Sequence, residues 1–161
     1  MLSQRAFAER ITKEFLGTNI RPAATPMDYG TILEPTEEGD TDITEELKEL
    51  YQRITGSLMF LSTRTRPEIT LKVSYLSRFN HNLAKQHLTA AKRVLRYIYG
   101  SLDHGIVYKG PTDDLERKSS KNLNLALYSD SNYTTDPITR KSQSSCVMFA
   151  ANGPFLWKSS H

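Results

Sequence analysis

Residues 84–109 read AKQHLTAAKRVLRYIYGSLDHGIVYK, and the apolar spacing changes partway along. Leu88, Ala91, Leu95 and Ile98 return every three or four residues, which lines one face of a helix, and Gly100 stands at its stop position. Beyond it, Gly105-Ile106-Val107-Tyr108-Lys109 is a short β-rich run, so the chain leaves its helical half near residue 100. Upstream the helical period holds. Pro67 suits the first turn of a helix with Ile69, Val73 and Leu76 as its stripe. Asp42, with Glu45 three residues on, resembles a capping box ahead of Leu47, Leu50, Ile54, Leu58 and Leu61, a period interrupted only by Gly56. Phe7, Ile11 and Phe15 recur behind Ser3 as N-cap and before Gly17, which predicts a helix over residues 4 to 16. Residues 21 to 41, with Pro22, Pro26, Gly30, Pro35 and Gly39 and no period, read as an extended linker.

Downstream the period becomes two. Thr112 to Asn122 is polar and loop-like, then Leu123, Leu125 and Leu127 alternate with Asn124, Ala126 and Tyr128 in a half-buried strand leading to Asp130. Ser145 to Ala150 forms a second strand, and Pro154 to Lys158 a third behind a two-residue Asn152-Gly153 turn. The expected class is α+β, four helices followed by a three-stranded antiparallel sheet. Three strands with one apolar face need something packed on them, so the sheet is expected to be part of a larger domain.

The bulk composition sets limits. With 161 residues, 38% hydrophobic and 24% charged, the chain has room for one ordinary domain or two small ones. No window approaches the roughly 18 consecutive apolar residues of a membrane span, so no membrane is expected as a partner. A single cysteine, Cys146, excludes an internal disulfide, and the four histidines make no zinc spacing, so an intracellular setting, cytoplasm or nucleus, is the expectation. Arg5, Arg10 and Lys13 near the start suggest a transit peptide, but Glu9 and Glu14 favour an ordinary amphipathic helix.

Charge is segregated. Glu34 to Glu49 holds eight acids against Lys48, a net of −7, whereas Arg64 to Arg96 holds eight bases against Glu68, a net of +7. The acidic run reads as a solvated linker and helix start; the basic run can meet a polyanion. No acid lies between Phe79 and Leu102, and Lys85, Lys92 and Arg96 share a helix face, with Arg93 beside them. These four are the candidate phosphate contacts, set against the plainer reading of a solvated surface. Asp130 at a strand end is by residue type a turn or cap residue. His87 is expected to be packed and hydrogen-bonded, Phe155 and Trp157 to be core, and Cys146 a small buried hydrophobe.

Several stretches, taken in order, resemble the copia-type LTR retrotransposon Pol polyprotein. Residues 1 to 16, MLSQRAFAERITKEFL, resemble the family's "LSQ.YA..IL..F", and Thr25-Pro26-Met27 matches "TPM". Tyr51 to Arg66 resembles "YR.LIGSLMYL...TR", with Pro67-Glu68-Ile69 following. Gln86-His87 and Ala91 to Tyr97 match "QHW.AAKRVLRYL", with Leu88 in place of the Trp. Tyr128-Ser129-Asp130, Arg140-Lys141-Ser142 and Trp157-Lys158-Ser159 resemble "YSDADWAGD", "RKSTSGYVF" and "W.SKKQ", although Asn132-Tyr133 and Ser145-Cys146 depart from the pattern.

The resemblance implies that residues 1–100 correspond to a helical thumb or connection region of a reverse transcriptase, and residues 101–161 to a truncated RNase H-like domain beginning with its antiparallel sheet. The parent would be an RNA-directed DNA polymerase and RNA–DNA hybrid ribonuclease using Mg²⁺, its partners an RNA–DNA hybrid or template-primer backbone and the remainder of the polyprotein. On that basis Asp130 matches the first RNase H metal ligand. Polymerase and ribonuclease both need several carboxylates around two metal ions. Asp113-Asp114 lacks the strand and aromatic context of the polymerase pair, and the other ribonuclease carboxylates are expected beyond His161. No complete catalytic set is therefore expected, nor Mg²⁺ bound by this chain alone. The alternative reading is a non-catalytic basic nucleic-acid-binding module.

Overall fold

The computed structural model describes residues 1–34, 43–108, 125–132 and 142–160. Asp42, Lys109, Asp113-Asp114, the polar stretch around residues 112–122, Leu123, Tyr133 and Arg140-Lys141 lie outside the described residues. The chain divides into two compact units, a helical one of residues 4–104 and a second made of residues 1–3 with 105–161.

The helical unit contains α1 (Arg5–Leu16), α2 (Glu45–Arg64), a 3₁₀ turn (Pro67–Ile69), α3 (Thr70–Ser77) and α4 (Lys85–Gly100). Helix α1 starts one residue later than expected, with Gln4 rather than Ser3 at the cap position and no side-chain cap. Ser3 is drawn off because Leu2 forms an antiparallel bridge with Ile106. Gly17, at φ 81°, ends α1 as expected, its amide donating to the Lys13 carbonyl. Only glycine enters this backbone region without a steric penalty. The cap of α2 is Thr44, whose hydroxyl accepts from the Leu47 amide, in place of the anticipated Asp42. Gly56 does not interrupt α2. Gly100 is the last residue of α4 rather than a left-handed cap; a Cβ there would stand 3.0 Å from Pro22 Cβ, so close packing explains this glycine.

The predicted stripes meet in one core. Ile54, Leu58 and Leu61 of α2, Ile69, Val73 and Leu76 around α3, and Val94, Leu95 and Ile98 of α4 are fully buried, with Ala8 and Ile11 of α1 packed beside them. Burying a side chain of this size contributes about 1.5–3 kcal/mol, and this apolar term drives the assembly of the helices. Tyr51 lies among them with its hydroxyl donating to the Leu76 carbonyl at 2.7 Å, and burial pushes its phenol far above the ordinary tyrosine range.

The second unit contains β1 (Leu125–Asn132), β2 (Gln143–Ala150) and β3 (Gly153–Ser160) in the antiparallel order β1-β2-β3. The β-rich run at 105–108 contributes only the Ile106 bridge to Leu2. The hairpin turn falls one residue before its expected place: Ala151 (φ 48°) and Asn152 (φ 60°) are its two central residues, the double positive φ of a type I′ turn. Gly153 opens β3 opposite Ala150. Its glycine is required because a Cβ would come within 2.6 Å of the Tyr108 ring, whose hydroxyl donates to the Pro154 carbonyl at 2.9 Å.

A bulge between Met148 and Phe149 leaves Phe155 as the extra residue, since Met148 faces Leu156 and Phe149 faces Pro154. Phe155 is therefore exposed and Trp157 only half-buried, not the core pair that plain alternation predicts. Directly opposed residues share a face, so Leu125, Leu127, Met148 and Leu156 line one side of the sheet and Tyr128, Val147 and Trp157 the other. Leu125 and Leu127 are 60% and 63% exposed rather than half-buried. Cys146 is half-exposed, not the buried hydrophobe anticipated.

Candidate nucleic-acid interface and the Asp130 cleft

Helix α4 buries Ala90, Ala91, Val94, Leu95 and Ile98, and this leaves its cations on the outer flank. Lys85 is exposed, while Lys92, Arg93 and Arg96 are half-buried. At the N-terminus of α4, His87 is packed as expected: fully buried, stacked on Phe79 at 3.9 Å, accepting from the Ala84 amide at Nδ1 and holding the Glu34 carbonyl through Nε2, both at 2.8 Å. That reach back to the cap amide is half of a capping box.

The four predicted phosphate contacts differ in what they already do. Arg93 is committed: one Nη pairs with Asp28 at 2.6 Å and bonds the Thr25 hydroxyl at 3.1 Å. Arg96 donates its Nε to the Arg21 carbonyl at 3.1 Å, and the Ala23 amide donates to the Arg96 carbonyl at 3.3 Å. Lys92 makes no hydrogen bond or ion pair among the described residues. Arg21 thereby joins this surface. Sequence reading missed it because the arginine sits in an aperiodic, proline-bearing connection; the only signal was its charge. Leu16, Asn19, Ile20, Arg21 and Arg96 line a cleft of about 400 Å³.

The rest of the basic run divides similarly. Arg66 is 3% exposed, paired with Glu68 and bonded through its two Nη atoms to the Ser101 carbonyl (3.1 Å) and hydroxyl (2.6 Å). Arg64 and Arg78 lie over the rings of Phe60 and Tyr75 at 5.9 and 5.6 Å.

In the sheet unit, Asp130 lines a cleft of about 320 Å³ with Ser129, Ser131, Ser144, Ser145, Cys146 and Lys158. Asp130 faces Ser145 across β1 and β2, and Cys146 faces Lys158 across β2 and β3. Mg²⁺ demands near-octahedral oxygen ligation dominated by anionic oxygens and water. Asp130 and Ser145 share one face of the sheet and Cys146 and Lys158 the other, so the carboxylate has only neutral hydroxyl neighbours on its own face among the lining residues. Among the described residues no group of three or more His, Cys, Asp or Glu side chains converges. The residues present do not by themselves fit a divalent ion. No helix among the described residues is long and apolar enough to cross a membrane.

Fold and surface together define an α+β chain with a cationic helix edge in one unit and a solitary carboxylate in a hydroxyl-lined sheet cleft in the other. No protein-family model and no solved structure matches it. The retrovirus-related Pol polyprotein from transposon RE1 of Arabidopsis thaliana is 31% identical over 158 residues, 98% of this chain and 10% of the relative. That from transposon TNT 1-94 of Nicotiana tabacum is 30% identical over 161 residues, again 98% of this chain and 11% of the relative. The secreted RxLR effector protein 161 of Plasmopara viticola is 30% identical over 109 residues, covering 68% of this chain and 70% of that protein. The chain belongs to the Pol polyproteins of copia-type retrotransposons. It spans about a tenth of the length of the Pol relatives that it matches.

Proposed function

We propose that the helical unit is a thumb- or connection-like segment of a reverse transcriptase that grips the nucleic-acid backbone, and that the sheet unit is the start of an RNase H domain in which Asp130 is the first metal ligand. The parent polyprotein then carries out RNA-directed DNA synthesis and cleavage of the RNA strand of a hybrid with Mg²⁺, while this chain alone catalyses neither. The observation that carries the reading is the cationic edge of α4, free of any acid from Lys85 to Gly100, in a chain that aligns over 98% of its length with Pol polyproteins. Phosphate contacts of this kind position a strand without reading its bases.

The test uses the purified chain with a labelled RNA–DNA hybrid. Binding should weaken linearly in log–log form as salt rises from roughly 50 to 200 mM, with a slope of about −0.9 per phosphate neutralised. Incubation with Mg²⁺ should release no products; cleavage abolished by Asp130→Asn would overturn the inactivity, and absence of binding at low salt would overturn the grip. A second reading, a non-catalytic basic module acting apart from any polymerase, is supported by the solitary carboxylate of the sheet cleft.

A further inference from the structure

Of the basic side chains in the helical unit, Arg5, Lys13, Lys48, Arg53, Arg66 and Arg93 each face a carboxylate: Asp103, Glu9, Glu45, Glu14, Glu68 and Asp28 respectively. Arg21 and Arg96 do not. They line the same cleft, and neither forms an ion pair among the described residues. Among the described residues no acid lines that cleft; its other walls are the amide-bearing Asn19 and the apolar Leu16 and Ile20. Two guanidinium groups lining one cleft without a counter-ion disfavour each other's approach unless an anion or water offsets them.

The backbone carrying Arg21 is fixed against α4 at three points. Arg96 Nε holds the Arg21 carbonyl, the Ala23 amide holds the Arg96 carbonyl, and Pro22 fills the space left by the missing Cβ of Gly100. The Arg96 guanidinium is thus held at Nε, and its two Nη groups keep a fork suited to the paired oxygens of a phosphate.

We infer that the Arg21–Arg96 cleft is a phosphate subsite for one nucleotide unit of a bound strand, the two guanidinium groups taking the phosphate, Asn19 adding a donor, and Leu16 and Ile20 lining the side that faces the sugar or base. At about 400 Å³ the cleft has room for one nucleotide unit. The inference rests on the nucleic-acid reading above, extends it to a residue outside the basic helix, and moves the main contact away from Arg93, which Asp28 already occupies.

The experiment measures binding of a fluorescently labelled single-stranded oligonucleotide to the full chain by anisotropy, comparing Arg21→Gln, Arg96→Lys and, as a control of equal charge loss to Arg21→Gln, Arg10→Gln. Arg10 is exposed over the Phe7 ring and lies outside the cleft. Arg21→Gln should weaken binding about tenfold and remove about one contact from the salt slope. Arg96→Lys, which keeps the charge and loses the fork, should weaken it severalfold, and Arg10→Gln should change it little. Adenosine monophosphate should compete and adenosine should not.

If Arg21→Gln and Arg10→Gln weaken a binding-competent chain equally, the subsite is overturned while the broader grip stands. Equal competition by adenosine overturns the phosphate assignment. A wild-type chain that binds no oligonucleotide overturns both readings together. Arg21 is exposed, so its replacement leaves folding intact, which circular dichroism verifies.

Discussion

Replacing Arg66 separates two accounts of the same cationic run. If this arginine contacts phosphate, its loss weakens binding and leaves the fold alone. The structure gives the opposite expectation. The guanidinium is 3% exposed and joins the end of α2 to the end of α4 through Glu68, the Ser101 carbonyl and the Ser101 hydroxyl, with Tyr97 at 5.8 Å beneath it. Removing one partner of a buried charged network typically destabilises by about 3–5 kcal/mol. Glu68 is 36% exposed, so water takes over part of its pairing; what remains is dominated by the charged bonds to Ser101, and the loss for Arg66→Ala comes to about 3 kcal/mol. Arg66→Lys retains a charge but cannot span the same acceptors with a point ammonium, and should lose about 2 kcal/mol. Urea unfolding followed by circular dichroism at the helical band isolates this unit, because all described α-helices lie within residues 4–104. An Arg66→Ala midpoint equivalent to a loss of under about 0.5 kcal/mol, the range of a neutral surface change, would refute the reasoning. So would reduced nucleic-acid affinity at undiminished stability.

Two further outcomes follow from buried polar groups in the same unit. Tyr51→Phe should cost about 1 kcal/mol in the same urea assay, because a buried hydrogen bond is lost while the Leu76 carbonyl keeps the Phe79 amide as a partner, and an unchanged midpoint counts against that bond. His87, whose pKa burial lowers from 6.5, stays neutral in the fold but takes a proton when unfolded; the unfolded chain binds the extra proton, so stability is fully present above about pH 6.5 and declines as pH falls through it, and the decline should be shallower in His87→Gln.

Much of the helical half was legible because burial and period coincide there: the stripes Ile54-Leu58-Leu61 and Val94-Leu95-Ile98 are the core. What misled were positions where a tertiary neighbour overrides a local preference. Gly100 has the position of a left-handed stop but is glycine because Pro22 packs on it, and Gly153 reads as half of a turn but is glycine because the Tyr108 ring crosses it. The turn consequently falls on Ala151 and Asn152, and the bulge that follows breaks the alternation from which Phe155 was assigned to the core. At the candidate interface, residue type identified the cations of α4, but only the packing distinguishes Arg93, neutralised by Asp28, from Arg96, whose two Nη groups have no acid partner among the described residues. Arg21 carries no local pattern, since its place beside Arg96 depends on a contact 75 residues away along the chain.

That distinction bears on how much of the +7 net charge between Arg64 and Arg96 can act on a polyanion. Arg66 is inside the core and Arg93 is paired, while Arg64 and Arg78 rest over aromatic rings that hold their stems in place. Each cation already offset by an acid releases no counter-ion when a phosphate approaches, so formal charge overstates the salt dependence. Among the four residues picked out on α4, Lys92 and Arg96 have no acid partner among the described residues, and Arg21 adds a third such cation from outside the run. Three contacts correspond to a slope near −2.7 on a duplex, much shallower than the slope of about −6.3 that seven free charges would give. A measured slope near three contacts therefore supports a surface in which most of the arginines build the fold and a few, brought together by the connection after α1, hold the strand.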